Sequence, residues 1–113
     1  MNVLVIEPLK EPYEATIDGK LETLQELVGG LIEGIYPFED DHVALICNEE
    51  GKLLGLPLNR ALRDENGDIY DIVSGTFLIC SAPPESESFE SLSDEQIRKY
   101  MKKFEHIEIY LRR

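Results

Sequence analysis

Short apolar runs separated by polar turns recur along the chain and predict β-strands. "NVLVI" is apolar on both faces and predicts a buried strand, whereas "YEATI" alternates and predicts a half-exposed one. Further strand material follows in "LIEGIYPF", "HVALIC", "KLLGL", "IYDIV" and "TFLIC". The alternation in "HIEIYL" predicts a final strand rather than more helix.

Two segments have the apolar spacing of amphipathic helices. Asp18 is a candidate cap for "GKLETLQELV", whose apolar face is followed by Gly29-Gly30 as a stop. The second helix begins after Ser93, where Gln96 completes a capping box and Leu92 with Ile97 forms a hydrophobic staple. Its predicted buried stripe consists of Ile97, Met101 and Phe104. "LNRAL" has the residue types of one helical turn.

These elements predict a single α+β domain over residues 1–113. We expect a mixed or mostly antiparallel sheet of about six or seven short strands with two packed helices. Residues 81–92, rich in Pro, Ser and Glu, predict a mobile connection because they offer little to bury. Residues 93–113 then form the C-terminal helix and strand.

Charge is strongly and unevenly acidic. The net charge is −12, with a balance of −16 over residues 1–97 and +4 over residues 98–113. A body of that charge repels phosphate backbones within a Debye length of roughly 10 Å. We therefore expect no direct nucleic-acid partner. The acidic surface serves solubility or, alternatively, mimics a polyanion.

The two cysteines and the N-terminal residues suggest a reducing compartment. Cys47 and Cys80 each end an apolar run, so buried, reduced and unligated thiols are expected. "MNVLVIEP" has no basic region, and Glu7 with Pro8 ends its apolar run early. A cytoplasmic location without membrane contact is the resulting expectation.

Motifs of catalysis and metal binding are weak in this sequence. No G-x-S-x-G elbow or phosphate-binding loop is present, and apolar flanks make both thiols inert. "EDDH", residues 39–42, has suitable ligand types, but adjacent ligands in one turn rarely complete a metal shell. A solvated acidic turn is the favoured interpretation there. His106 is expected to be structural, and neither a metal nor a cofactor is expected.

The segment "NRALRDENGDIYD" is the strongest candidate for a binding site. Arg60 and Arg63 are two of the five basic residues before Arg98. A helical turn would place both guanidiniums on one face, where each fork suits a phosphate or carboxylate. The predicted ligand-binding residues are Asn59, Arg60, Arg63, Tyr70 and Asp71. The alternative is that nearby carboxylates simply pair with the arginines in a solvated turn.

The motifs "ELVGG", "ALICNEEGK", "PLNRAL" and "IYDIVSGTF" together resemble the bacterial and phage family called domain of unknown function 3846. The resemblance runs from the first strand through Cys80 and more loosely to the helix after Ser93, and leaves out "HIEIYLRR". The family occurs in Gram-positive gut bacteria, their phages and mobile elements. The resemblance therefore implies an intracellular accessory protein and implies no enzyme activity.

Three functions follow as hypotheses. The first is a non-catalytic binding protein of a phage or mobile element, which grips a host protein or a small anionic, nucleotide-like ligand. We also expect this binding to antagonise a host defence system, an expectation that rests on the family's occurrence in phages and mobile elements. The second is an acidic decoy that mimics DNA for a DNA-binding protein. The third is a small nucleotide-type hydrolase. Steep salt dependence would identify the decoy, and turnover would identify the hydrolase.

Overall fold

A computed structural model describes residues 1–111, and its elements confirm the α+β class. In chain order they are β1 (Asn2–Ile6), β2 (Tyr13–Thr16), α1 (Leu21–Val28), β3 (Ile32–Ile35), β4 (Val43–Asn48), β5 (Leu58–Arg63), β6 (Ile69–Ser74), β7 (Phe77–Ser81) and α2 (Asp94–Lys103). A five-stranded sheet has the order β2-β1-β7-β4-β3, and β5 pairs with β6 in a separate hairpin. All strand pairs in these sheets are antiparallel.

Alternation along the central strands divides the core between the two faces of the large sheet. One face packs against α1 and includes Val3, Val5, Ala44, Ile46, Leu78 and Cys80. The other face packs against α2 and the β5–β6 hairpin and includes Leu4, Ile6, Leu45, Phe77 and Ile79. These strands are buried on both sides, which explains why they read as continuous apolar runs. The result is a three-layer arrangement.

Helix α2 begins as the sequence predicts. The Ser93 hydroxyl accepts from the Gln96 N–H at 3.1 Å, and the Gln96 side chain accepts from the Ser93 N–H at 3.0 Å. These bonds satisfy two backbone donors that the first turn leaves free. Ile97 and Phe104 are buried as expected, but Tyr100 is fully buried while Met101 is only half-buried. The buried stripe is therefore centred on Tyr100.

Helix α1 begins later than predicted. Its N-cap is Lys20, which makes no side-chain capping bond, and its first helical residue is Leu21. Asp18 instead accepts from the Lys20 N–H at 2.8 Å, which closes a local turn before the helix. The helix ends at Val28, directly before the predicted Gly29-Gly30 stop.

Three local predictions about strands and turns are wrong. "LNRAL" is not a helical turn but most of strand β5, because pairing with β6 overrides its residue preferences. "KLLGL" is not a strand: its backbone bonds locally, for example from the Leu54 N–H to the Glu50 carbonyl at 2.8 Å. "HIEIYL", within the described residues, forms no strand and lies across β5 as an irregular segment.

Residues 81–92 are attached at both ends. Ser81 and Glu90 form an isolated antiparallel bridge, and the Leu92 N–H donates to the Asn2 carbonyl at 2.9 Å. Between these attachments, Ser86 and Ser88 bond to each other in an exposed turn. The mobility of this connection stays a prediction that applies to its central turn.

The two cysteines are free and lie on opposite faces of the large sheet. Cys80 is buried as predicted, whereas Cys47 is half-buried. Burial raises the pKa of Cys80 to about 12. The pKa of Cys47 is raised to about 11, first by burial and then by the nearby Glu33 and Asp71 carboxylates.

These pKa values predict slow thiol chemistry. At pH 8 a thiol with a pKa near 11 holds roughly one-thousandth of its population as thiolate, which is the reactive form. We expect Cys80 to react with a disulfide reagent only after unfolding, and Cys47 to react far more slowly than free cysteine. Titration of the parent and of Cys47→Ser, in buffer and in denaturant, checks this. Two fast thiols, or none in denaturant, would contradict it.

Asp41 attaches α2 to the turn between β3 and β4. Its carboxylate accepts from the Tyr100 hydroxyl at 2.8 Å and from the Gln96 amide at 3.0 Å, and Lys99 lies 3.7 Å away. Burial alone raises the Asp41 pKa, but these hydrogen bonds and the Lys99 charge outweigh it, so the pKa is lowered. This part of "EDDH" is therefore an anchor for the helix.

Asp41→Asn should destabilise the protein at pH 7 by about 1.5–3 kcal/mol, the contribution of charge-assisted hydrogen bonds. Because the folded pKa is lowered, the carboxylate's contribution is complete above its unfolded pKa and is lost as the pH falls through the folded pKa. The difference from the parent should therefore shrink toward pH 3. Urea denaturation at both pH values measures it, with exposed Asp68→Asn as the control. An equal deficit at both pH values would contradict the assignment.

Candidate functional site

The structure separates Arg60 from Arg63. A spacing of three places two residues on one face of a helix but not of a strand. Both residues lie in β5, where Arg60 is 0% exposed and the Arg63 side chain is 47% exposed. The expected pair of guanidiniums facing one anion is therefore absent from the fold.

Arg60 bonds to three separate parts of the chain. Its Nε donates to the Phe104 carbonyl at 3.0 Å, one terminal nitrogen donates to Asn59 Oδ1 at 2.9 Å, and the other donates to the Lys10 carbonyl at 2.7 Å. Burial lowers the Arg60 pKa, while Glu108 and Tyr110 oppose that shift. A guanidinium remains charged in such surroundings because its ordinary pKa is so high.

Asn59 completes this buried polar centre. Its Nδ2 donates to the Ile6 carbonyl at 2.8 Å and to the Gly75 carbonyl at 2.9 Å. A register shift between Leu58 and Arg60 marks a bulge in β5 at this position. Gly75 has a φ of +83°, and a Cβ there would meet the Leu56 side chain at 2.8 Å. Asn59 and Arg60 therefore act structurally in the folded chain.

Arg63 does face an anionic group, which comes from the chain itself. Its guanidinium donates to Glu108 Oε1 at 3.0 Å, and the Ala61 N–H lies 3.3 Å from both carboxylate oxygens. The Tyr110 hydroxyl donates to the same carboxylate. We call these three donors, from Ala61, Arg63 and Tyr110, the carboxylate cradle.

The cradle favours the charged form of the carboxyl group. Burial raises the Glu108 pKa, but the bonds from Tyr110, Arg63 and Ala61 outweigh burial and the pKa is lowered. The same contact raises the Arg63 pKa. Charge-assisted hydrogen bonds of this kind are roughly twice as strong as neutral ones. The cradle therefore holds the Glu108 carboxylate in its charged form.

A surface cleft adjoins the cradle. Two neighbouring cavities of about 150 and 490 Å³ share the walls formed by Phe38, Arg63, Asp64, Tyr70 and Lys103. Tyr70 is 57% exposed, and the Lys103 ammonium lies 5.0 Å from the centre of the Phe38 ring. The cleft thus presents the cations of Arg63 and Lys103 beside two aromatic rings. Its lining also includes five carboxylates, from Glu39, Asp40, Asp64, Glu65 and Glu108. The cations and rings therefore suit a single carboxylate carried next to an apolar group and not a strongly acidic ligand.

Asp71 lies apart from the cleft. It forms an ion pair with Lys52 and accepts from its neighbour Ile72 at 2.8 Å. Of the predicted residues, the structure therefore brings Arg63 and Tyr70 together and takes Asn59 and Arg60 into the interior. It places Asp71 at other cavities, one of which Tyr70 also lines. A ligand-binding role for each of the five residues stays a prediction.

Sequence reasoning missed Glu108, Tyr110 and Lys103. Glu108 lies in the segment predicted as the final strand, and nothing in its local sequence indicates a partner 45 residues earlier. The excess of positive charge after residue 97 was a usable signal for Lys103. Within the described residues, no His, Cys, Asp and Glu side chains form a group of three that could hold a metal ion.

The fold and the cradle define a small α+β protein that holds a carboxylate with an arginine at its surface. The chain belongs to the family described as Domain of unknown function (DUF3846), whose model matches residues 1–105. Glu108 and Tyr110 therefore lie beyond the matched residues. No curated protein and no solved structure matched the chain. No helix of the described residues has the length and apolar character that crossing a membrane requires.

Arg60→Lys should destabilise the fold by about 2–4 kcal/mol, because lysine cannot reach three separated acceptors and buried carbonyls lose their donors. Arg63→Lys, at an exposed position, should cost about 1 kcal/mol or less. Urea denaturation of both variants measures the difference. Equal stability of the two variants would show that the buried guanidinium is dispensable.

Proposed function

We propose that this chain is a non-catalytic binding protein and that the carboxylate cradle, together with its adjoining cleft, binds a protein partner. The observation that carries the proposal is the Glu108 carboxylate, which already occupies the cradle. A carboxylate from another molecule can make the same bonds to Ala61 and Arg63. The partner would present an Asp, a Glu or a chain terminus at that position.

The cleft indicates what should flank the partner's carboxylate. Phe38 and Tyr70 offer aromatic surface, and Lys103 adds a second positive charge. A single carboxylate from solution competes poorly with Glu108, because attachment to the chain gives Glu108 a high effective concentration. Additional apolar contacts in the cleft would supply the affinity that displaces it.

Electrostatics limits the class of partner. The net charge of −12 and the five carboxylates in the cleft lining oppose the approach of a strongly acidic partner, so the partner should present a single carboxylate among apolar or basic side chains. We propose a host protein as the partner, in keeping with the family's occurrence in phages and mobile elements. Because proteins of phages and mobile elements often act on their hosts, we propose that this binding antagonises host defence.

The test uses the chain's own segment as a probe. A blocked peptide with the sequence HIEIYL, residues 106–111, is titrated into full-length Glu108→Gln, whose cradle has lost its internal anion. We expect saturable amide shifts at Ala61 and Arg63 in nuclear magnetic resonance spectra. Affinity should fall about tenfold for a peptide carrying Gln in place of Glu, since a charge-assisted bond contributes roughly 1.5 kcal/mol or more.

Matched variants distinguish specific binding at the carboxylate cradle from nonspecific electrostatic attraction to the protein surface. Adding Arg63→Lys to the same protein should weaken the Glu peptide several-fold because the forked geometry is lost. Adding Arg98→Lys, which makes the same change on α2 outside the cleft, should leave binding unchanged. Equal binding of the Glu and Gln peptides would show that the cradle does not accept a carboxylate from another molecule.

A further inference from the structure

Residues 106–111 form a segment whose apolar side faces solvent. Its Glu108 side chain lies against β5, where the carboxylate accepts from Arg63 at 3.0 Å, and is only 17% exposed. The apolar side chains of the segment are exposed instead, to 43%, 75% and 93% at Ile107, Ile109 and Leu111. We call these three side chains the tail stripe.

The tail stripe is arranged opposite to an ordinary surface strand, which turns its apolar side inward and its polar side to water. Single exposed apolar residues are common, but three alternate residues on one side of a short extended segment form a continuous strip. Such strips mark interaction surfaces. None of the three side chains lines the cleft beside Arg63, so the function proposed above leaves the stripe uncovered.

An apolar groove lies on the opposite face of the large sheet, between α1, β3 and residues 82–89. Its volume is about 610 Å³, and its apolar lining includes Leu21, Leu24, Ile32, Tyr36 and Phe89. Leu21 and Tyr36 are 53% and 64% exposed. Phe89 lies over β3, since a Cβ at Gly34 would be 3.8 Å from its ring. The groove therefore offers a second exposed apolar surface.

The charges around the tail stripe and the groove are of opposite sign. The groove lining includes one carboxylate, from Glu87, and no cation. Helix α1 and residues 82–89 together contain four glutamates and no lysine or arginine, although Lys20 precedes the helix. Residues 98–113, which include the stripe, carry a balance of +4. Each surface therefore combines apolar side chains with the charge that the other lacks.

We propose that the tail stripe of one copy of this chain binds in the groove of a second copy. Within one chain the two surfaces cannot meet, because the stripe lies on β5, on the α2 side of the large sheet, and the groove lies on the α1 side. Contact between two stripes is disfavoured because both carry positive charge. Burial of the stripe would supply the apolar driving force, and the opposite charges would orient the approach.

The contact joins two different surfaces, so it is heterologous: two copies exchange their tails in a closed pair, or successive copies extend as a chain. Both forms require the same contact. Neither surface includes the cradle donors or the cleft lining, so the proposal can fail while the function proposed above holds, and the reverse.

Sedimentation velocity of the full-length chain over a range of concentrations measures the association. Ile109→Asp in the stripe and Leu21→Asp in the groove should each weaken it at least tenfold, because an unpaired carboxylate is costly to bury. Both positions are exposed, and an aspartate in the first turn of α1 suits the helix dipole, so the fold is retained. Leu53→Asp adds the same charge at an 87% exposed position outside both surfaces and should leave association within a factor of two.

A mixture of the two variants tests whether the stripe and the groove are partners. Isotopically labelled Ile109→Asp keeps an intact groove, and unlabelled Leu21→Asp keeps an intact stripe. We expect saturable nuclear magnetic resonance shifts at the amides of Leu24 and Phe89 when the second variant is added to the first. Unlabelled Ile109→Asp, added in its place, should give no such shifts. These amides differ from those of the cradle, so the two proposals are tested separately.

Four results would overturn the proposal. The first is a parent protein that stays monomeric up to about 1 mM. The second is an equal loss of association in Leu53→Asp and Ile109→Asp, and the third is a mixture that gives no shifts at the groove amides. The fourth is binding of a monomeric parent to anionic lipid vesicles that Ile109→Asp abolishes, which would assign the stripe to a membrane surface. If Leu21→Asp does not fold, Tyr36→Asp takes its place in both experiments.

Discussion

The buried contact between Asn59 and Arg60 is the constraint on which the rest of the structure depends. Two adjacent polar residues, both 0% exposed, bond to the end of β1, the β1–β2 loop, the β6–β7 turn and the end of α2. A guanidinium can enter the interior only when its donors find acceptors, and carbonyl groups at element ends supply them here. These acceptors exist together only in the completed fold. The pair therefore fixes how the β5–β6 hairpin lies on the large sheet.

The position of the hairpin in turn creates the candidate site at Arg63. Its outer side brings Arg63 and the Ala61 N–H against Glu108, and the strand β6 brings Ser74 and Asp71 toward the edge of the large sheet. A strand at the edge of a sheet offers unpaired backbone groups, and the Glu108 side chain satisfies one of them.

Periodicity and capping chemistry predicted most of the fold because both are local properties. Strands β1, β4 and β7 are buried on two faces and appear as apolar runs, and the Ser93–Gln96 box marks the start of α2 without tertiary help. The failures share one cause. "LNRAL" and "HIEIYL" have ambiguous local preferences, so tertiary contacts decided their conformation. The first pairs with β6, whereas the second contacts the outer edge of β5 through the Glu108 side chain and forms no strand.

By itself the sequence determined the α+β class, the central strands, the second helix and the free cysteines. It also determined the concentration of charged and hydrogen-bonding side chains between Asn59 and Asp71. Only the tertiary structure decided what those residues do. Arg60 and Arg63 are the same residue type three positions apart, yet one lies in the interior and the other at the surface. The carbonyls of Phe104 and Lys10, which accept from Arg60, and the Glu108 carboxylate, which accepts from Arg63, lie at least 44 residues away in the chain. Long-range contacts of this kind leave no periodic trace in a sequence, because they depend on the packing of whole elements rather than on neighbouring residues.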